Sequence, residues 1–416
     1  MLLLARAFPG PNNGLAYAVA PVEDRYKVVA TDDPLRDAAR LAERGERFLV
    51  LYSLSTPLFV EYWRELAEVA SKYPVAAGGP HAMGDPLTLL RLGVKYVVVG
   101  DGEAALPAIL ENEAEGGGDV PPNTLVLEDG KIKAGKRVYV EPVHRPYSKS
   151  LGIYPPIEIM RSCAYRCTFC QTWSHGPVRY RPLHNVLEAV RAYVSAGRRE
   201  IRFIAPVGFL YQSRDGKTPN MDALVALLRG VREAGGAPYL GTFPSETRPE
   251  TVTREVLKAV RPYLANRRIS FGLQTASERL LKIVKRQHDV VAVEEAAKTS
   301  LEFGLRPVVD VIGGLPGEEE EDVAETVKTM ERLVKIGAYI RMHYFIPLPG
   351  TPLWGREPAP PHPLYQEFIK RWRRRVEGYW EEQIELSRKI VATYKEVESY
   401  LRSLTTPSSK ASWRYQ

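Results

Sequence analysis

The chain has 416 residues, enough for two or three domains. Apolar residues make up 44% and charged residues 26%, which supports a packed core and excludes a disordered, collagen-like or disulfide-scaffold protein. The net charge of +7 permits anionic partners without demanding them. No apolar run reaches about 18 residues, so no membrane span is expected. The opening MLLLARAFPGPNNG lacks a basic leader and is short for a signal peptide. Met1–Ala7 is therefore read as a first buried strand, and the protein as cytoplasmic.

In chain order, strand-like segments at 2–7, 26–30, 48–51, 75–78 and 96–100 alternate with amphipathic stretches at 34–44, 59–72, 86–92 and 104–113. Such alternation with short connections predicts an α/β fold with a parallel, Rossmann-like sheet over residues 1–113. The flexible EAEGGGDVPP punctuates the chain next. A small hairpin is expected in TLVLEDGKIKAG, turning at Asp129-Gly130. Residues 114–155 are thus read as a linker with a hairpin.

The alternation restarts at 157–161 and continues with strands at 201–205, 239–243, 269–273, 308–312 and 340–345. Helical stretches are predicted at 185–196, 221–234, 250–263, 291–303 and 320–336. Six βα-like units over 156–355 suit a partial TIM-type barrel, whose chemistry sits at the carboxyl ends of the strands. Residues 356–416 are read as one or two charged helices and a polar tail.

All three cysteines, Cys163, Cys167 and Cys170, fall within eight residues directly after the first barrel strand. An odd, clustered set is not a disulfide framework. An electron-transfer 4Fe-4S cluster usually takes four thiolates, and the chain offers no fourth. One iron is then left open for a non-protein ligand, the mark of a reactive site. The other reading of the same residues is a zinc site completed by His175.

The C-x3-C-x2-C spacing with Phe169 before the last cysteine resembles the radical SAM superfamily. The resemblance implies a 4Fe-4S cluster whose open iron binds S-adenosylmethionine (SAM) and whose electron yields a 5′-deoxyadenosyl radical. Further segments resemble the same superfamily: IAPVGFLY, GTFPSETRPE, the fourth-strand SFGLQTASERL, the glycine-containing DVIGGLPGEEEED and the sixth-strand YFIPLPGTPLW. They imply SAM contacts from Phe169, Pro206, Gly208, Ser245, Glu246, Gln274, Gly313 and Ile346. The usual Gly-Gly-Glu after the second strand is absent, so backbone carbonyls near Pro206 and Val207 take its place. Trp173, Tyr211, Tyr344 and Trp354 are candidates for the barrel mouth. No catalytic side chain is singled out.

Residues 49–110 resemble the cobalamin-binding domain that precedes many radical SAM barrels, in an archaeal-type subgroup. The resemblance rests on Gly78-Gly79-Pro80-His81, on Val99-Gly100-Asp101-Gly102-Glu103 and on Ser53 and Ser55. It implies cobalamin contacts from Ser53, Ser55, Gly78, Gly79, Pro80, Gly100, Gly102 and Glu103. Asp-x-His-x-x-Gly is missing, so cobalamin is expected without histidine ligation.

Cysteine counting excludes methylthiotransferases, methylases with catalytic cysteines and enzymes with auxiliary clusters, all of which need further thiols. Cobalamin-dependent methyl transfer to an unactivated carbon is then the leading expectation, with a ferredoxin or flavodoxin as electron donor. A radical rearrangement, cyclisation or coupling is the first alternative. The second is a non-catalytic Cys3His zinc protein binding nucleic acid through Arg371-Trp372-Arg373-Arg374-Arg375. Against that stand Glu377, Glu381, Glu382 and Glu385, expected to pair with the arginines along one helix. The substrate is left open.

Overall fold

The structure, a computed structural model, describes residues 1–10 and 12–404. The polar tail expected after Leu404 lies outside the described residues.

The first strand, β1 (Leu2–Arg6), is buried along its whole length, as a continuous apolar run predicts for a parallel strand covered on both faces. It pairs in parallel with β2 (Lys27–Thr31) and β3 (Phe48–Ser53). β4 (Val75–Gly78) and β5 (Tyr96–Val98) continue the parallel sheet. Around it run α1 (Asn13–Val19), α2 (Pro34–Glu43), α3 (Thr56–Ala70), α4 (Pro80–Gly84), α5 (Pro86–Arg91) and α6 (Gly102–Glu115). Asp33 and Asp85 cap α2 and α5 by accepting from backbone amides, and prolines open α2 to α5. The sequence reading lacked α1 and α4, each too short to show a helical period.

The hairpin β6 (Thr124–Glu128) and β7 (Lys131–Ala134) turns at Asp129-Gly130, both at positive φ, as a type I′ turn requires. It adds antiparallel to β5, making a seven-stranded sheet ordered β2-β1-β3-β4-β5-β6-β7.

The second body begins with β8 (Ile157–Glu158) and β9 (Met160–Arg161). β9 pairs antiparallel with β10 (Arg179–Tyr180), so the cysteine loop is tied at its base. β8, β11 (Glu200–Ile204) and β12 (Ala237–Tyr239) are parallel neighbours. β13 (Arg268–Gln274), β14 (Arg306–Gly313), β15 (Tyr339–Tyr344) and β16 (Val376–Gly378) form a second parallel set. The sets are stitched by Ser270 N–H donating to Gly241 O at 2.8 Å and Thr247 N–H donating to Ser270 O at 2.9 Å. Strand order follows chain order, the signature of βα units wound around an arc. Among the described residues no pairing closes β16 onto β8.

The intervening helices are α7 (Leu183–Ser195), α8 (Met221–Glu233), α9 (Arg254–Val260), α10 (Glu278–Ile283), α11 (Val290–Glu302) and α12 (Glu320–Lys335). The predicted helix 250–263 shrinks to α9 behind a short 3-10 turn at Pro249–Thr251, because Pro249 and the Thr253 cap reset its start.

The C-terminal region holds α13 (Pro363–Arg371) and α14 (Trp380–Leu404) with β16 between them. This strand was not expected. It breaks the helical spacing, so Glu377 does not pair along a helix. Glu377 instead meets Arg268 and Arg341, and Arg371 pairs with Glu331 on α12 at 2.7 Å. Arg375 lies over Tyr339 at 5.0 Å. Two arginines of the basic run are therefore spent on the fold. No described helix is long and apolar enough to cross a membrane.

α14 starts at the barrel rim and returns over the N-terminal sheet's helices. Ile390, Val397 and Leu401 join the core beneath α3, and Tyr394 Oη donates to Asp85 at 2.8 Å. Ile390 is fully buried. Ile390→Val should therefore cost about 1 kcal/mol, read as a lower denaturant midpoint at unchanged slope.

Candidate active site

The cysteine loop is held from three directions. Ser162 adopts φ 70° and donates its Oγ hydrogen to Gly176 O at 2.6 Å, turning the chain out of β9. Thr168 N–H donates to Val284 O at 3.1 Å, and Leu353 N–H to Thr168 O at 3.3 Å. Trp173 Nε1 donates to Cys167 O at 3.2 Å. The three thiols are free, and all line one cavity of about 710 Å³ at the carboxyl ends of the barrel strands.

The donor set fits an open-sited cluster. Burial pushes the Cys163 thiol up to about 11, so a thiolate there needs a cation beside it. Metal ligation supplies one and deprotonates the thiol outright. Among the described residues no three of His, Cys, Asp and Glu are gathered tightly enough for a single ion. His175 lines a different pocket, so the Cys3His zinc set is not assembled.

A guanidinium stands against the site. Arg286, 8% exposed, points Nη1 at Cys167 Sγ at 3.7 Å and donates through Nη2 to Gly272 O at 3.2 Å. Its Nε donates to His288 Nε2 at 2.8 Å, and burial with Arg286 and Arg248 lowers His288 to about 3, leaving it a neutral acceptor. Arg248 donates to Arg286 O at 2.6 Å and lies 3.6 Å over the Tyr165 ring. A cation beside a ligand sulfur favours the reduced, more negative state of a cluster. Arg286→Gln should lower its midpoint potential by about 60 mV, a tenfold change for one electron, in an EPR-monitored redox titration.

Of the SAM candidates, Phe169, Pro206, Glu246, Gln274 and Ile346 line this cavity. Gln274 is held at φ 69°, and its Oε1 is buried with no hydrogen-bond partner. Such an orphan acceptor at the end of a barrel strand awaits a donor.

The other three candidates are displaced. Ser245 is fully buried and donates to Thr242 O at 3.1 Å, closing a turn instead of facing the cavity. Gly208 packs under that turn, where a Cβ would stand 2.5 Å from Ser245 O. Gly313 lies against the Tyr365 and Trp380 rings, which would stand within 3 Å of any Cβ. None of these three lines the cavity. Among the aromatic candidates Tyr344 lines the cavity. Tyr211 is buried, donating to Arg181 O, and Trp354 packs edge-on against Tyr394.

Sequence reasoning missed the charged residues on inward faces: Arg248, Arg286, Asp310, Arg341, His343 and Glu377. Two of the segments carried a signal. Asp310 interrupts the apolar run VVDVIG, and YIRMHY alternates apolar with Arg341 and His343, which is strand period with a polar face.

The N-terminal candidates gather at a second pocket of about 200 Å³. Ser53, Gly78, Gly79, Pro80, Gly100, Gly102 and Glu103 line it, and Glu158, Arg161 and His175 complete it from the barrel side. Ser55 is not among them; it precedes α3 at its N-cap. Two of the glycines are steric requirements, and at Gly100 a Cβ would stand 2.8 Å from the Asn123 side chain. Gly79 sits at φ 97°, and a Cβ there would stand 2.6 Å from Leu54 O. The pocket is far smaller than a corrinoid, so it fits an end of one and not the whole ring system. His81 is fully buried, stacked on Phe59 at 4.0 Å. Burial lowers it to about 3, and it does not line the pocket.

Two connections bind this pocket to the cysteine loop. Gln171 Nε2 donates to Pro349 O at 2.7 Å and to Pro80 O at 3.4 Å. Arg161, one residue before Ser162, meets Asp101 at 3.0 Å, Glu103 at 2.6 Å and Glu158 at 2.6 Å, all nearly buried. Arg179 also pairs with Asp101.

An open-sited cysteine loop on a parallel-strand arc, behind a Rossmann-like domain, defines a cluster-dependent radical enzyme. Residues 157–330 match the family model for the Radical SAM superfamily, and residues 1–110 that for the B12 binding domain. The chain thus carries a B12-binding domain ahead of a radical SAM domain. Its cofactors are accordingly a 4Fe-4S cluster, SAM and cobalamin, and such enzymes need a reductant.

An uncharacterized protein of Methanopyrus kandleri is 28% identical over 70% of this chain and 64% of its own length. A putative methylthiotransferase of Methanocaldococcus jannaschii is 27% identical over 57% and 52%. The chain thus spans about half to two-thirds of these relatives. The structure of the radical S-adenosylmethionine methyltransferase TsrM from Kitasatospora setae, with cobalamin and a [4Fe-4S] cluster bound, superposes with a TM-score of 0.65. That match covers 85% of this chain and 73% of TsrM at 18% identity, a likeness of fold.

Proposed function

We propose that the protein is a cobalamin-dependent radical SAM methyltransferase acting on an unactivated carbon. The observation that carries this reading is the double link, through Gln171 and Arg161, between the glycine-lined pocket and the cysteine loop. It supports the reading by tying the pocket proposed for cobalamin to the loop proposed for the cluster.

Cys163, Cys167 and Cys170 would hold the cluster. Phe169, Pro206, Glu246, Gln274 and Ile346 would hold SAM. Ser53, Gly78, Gly79, Pro80, Gly100, Gly102 and Glu103 would hold cobalamin. The cluster supplies the electron that splits the sulfonium, and cobalamin supplies a carrier for the methyl group. Gln274 offers SAM an acceptor, Phe169 and Ile346 exclude water, and Arg286 steadies the charge on Cys167. We take residues 1–113, 114–155, 156–355 and 356–416 as the functional divisions, the cytoplasm as the location, and a ferredoxin or flavodoxin as the donor.

The test is anaerobic reconstitution with iron, sulfide and hydroxocobalamin, followed by SAM and a strong reductant. Both 5′-deoxyadenosine and S-adenosylhomocysteine are expected, the latter only with cobalamin. 5′-Deoxyadenosine alone, unaffected by cobalamin, would refute methyl transfer and leave a radical rearrangement.

A further inference from the structure

The cysteine loop has an outer face that does not line the large cavity, and two other segments pack against it there. Gly216, in the loop after β11, sits so close that a Cβ would stand 2.9 Å from Ala164 Cβ. Beyond α10, Thr168 Oγ1 donates to Ile283 O at 3.3 Å, and Cys167 Sγ lies 3.9 Å from Lys285 O. Over 164–168, 213–218 and 282–287 the sequence places Arg166, Arg214, Lys217, Lys282, Lys285 and Arg286 against a single acid, Asp215. Arg286 turns inward to Cys167. The other five are exposed, and none of the five lines the cavity.

These charges are not spent on the fold. Lys282 reaches Glu278 at 3.9 Å, but among the described residues Arg166, Arg214, Lys217 and Lys285 meet no carboxylate. Arg166 and Lys217 lie 5.9 Å and 5.8 Å from the ring centres of Trp173 and Tyr165. Asp215 faces its own turn, accepting from Lys217 N–H at 2.8 Å, Thr218 N–H at 2.7 Å and Thr218 Oγ1 at 2.7 Å. Glu250, beside Tyr165, is held by Arg248. Between Lys282 and Lys285, Ile283 is 42% exposed. An apolar spot among unpaired cations is the build of a small, transient interface, in which charge steers the encounter and a short apolar contact holds it. A single-stranded nucleic acid would need exposed aromatic rings to stack on. Among the described residues these segments offer none, since Tyr165 is only 5% exposed.

We propose that this outer face is the docking surface for an acidic one-electron carrier protein. Arg166, Arg214, Lys217, Lys282 and Lys285 meet its carboxylates, and Ile283 makes the apolar contact. The electron enters on the Cys167 side of the loop. The carrier gives up one electron and the cluster gains it, so no atom or proton crosses the interface. The cavity on the other side of the loop stays free for SAM and substrate while the carrier is bound. The inference rests on the radical SAM reading for the need of an electron.

The probe is an acidic plant-type 2Fe-2S ferredoxin, titrated calorimetrically into the reconstituted protein and supplied in reduced form to a 5′-deoxyadenosine assay with SAM. Binding should weaken about tenfold as ionic strength rises from about 0.01 M to about 0.15 M, where the Debye length shortens from about 30 Å to about 8 Å. Lys217→Glu combined with Lys282→Glu should weaken low-salt binding about tenfold and slow the ferredoxin-driven reaction in proportion. Both side chains are exposed, so the fold should stand. Ile283→Ala should weaken binding severalfold and leave its salt dependence unchanged. Reduced methyl viologen, a small cation that needs no docking surface, should drive the variants as fast as the unaltered protein. Ferredoxin binding indifferent to charge reversal, or an equal loss of rate with methyl viologen, would overturn the proposal. So would tighter binding of a single-stranded oligonucleotide than of ferredoxin, which would give the face to nucleic acid. Failure of the radical reading is separate: it appears as absence of iron and of 5′-deoxyadenosine with methyl viologen, while calorimetry still reads the surface.

Discussion

Alanine at Cys163, Cys167 or Cys170 is expected to abolish 5′-deoxyadenosine formation and to strip most of the iron from the reconstituted protein. The chain holds no fourth thiol, so no replacement ligand can slide in. His175 is turned to the other pocket, and among the described residues no carboxylate is gathered with the cysteines tightly enough to share a metal ion. Each loss therefore leaves two protein ligands for a cluster that needs three. The fold should survive, because Ser162, Thr168 and Trp173 hold the loop through bonds independent of the thiol groups. Iron content, and melting temperature measured without iron, check the two halves. A variant retaining full iron would contradict this ligand assignment.

Arg161→Met is expected to be the most destabilising single substitution between the domains, by about 3–5 kcal/mol. The guanidinium is buried among Asp101, Glu103 and Glu158, and a neutral residue leaves three carboxylates facing one another with Arg179 alone against them. Removing one partner of a buried ion pair costs more than the pair is worth, because the remaining charges lose both water and counter-ion. Burial raises Asp101, but the Arg179 hydrogen bond and the Arg161 charge outweigh it and hold it below the usual carboxylate range. That contribution is complete above pH ~4, the unfolded carboxylate value, and is lost as pH falls below it. Chemical denaturation reads the loss. Hydrogen exchange should rise at residues 100–103 and 158–162 together, since both segments hang on the same side chain. Exchange confined to one segment would contradict a shared latch.

Much of the fold was legible because parallel α/β structure writes itself locally. β1 and β3 are unbroken apolar runs, helices open on Pro or a capping Asp, and Asp129-Gly130 announces its own turn. β16 was invisible: three residues, VEG, carry no period and are a strand only because β15 offers an edge. The docking of α14 onto α3 was equally hidden, since an amphipathic helix does not say which apolar surface it covers.

The site divided in the same way. The cysteines were readable because spacing within a loop survives folding. The glycines were ambiguous: Gly79 borders a pocket, whereas Gly208 and Gly313 make room for neighbouring protein atoms, and the sequence pattern is identical for both uses. Arg286 and the Asp310–Arg341–Glu377 layer come from strands and loops far apart in the chain. Only strand register brings them to one wall.

The most direct test of the account is EPR of the anaerobically reconstituted, reduced protein, recorded before and after adding SAM, alongside iron and sulfide analysis. The account predicts about four irons and four sulfides per chain and a reduced-cluster signal whose g values shift when SAM occupies the open iron. Stoichiometric zinc with no sulfide, or a cluster signal indifferent to SAM, would contradict it.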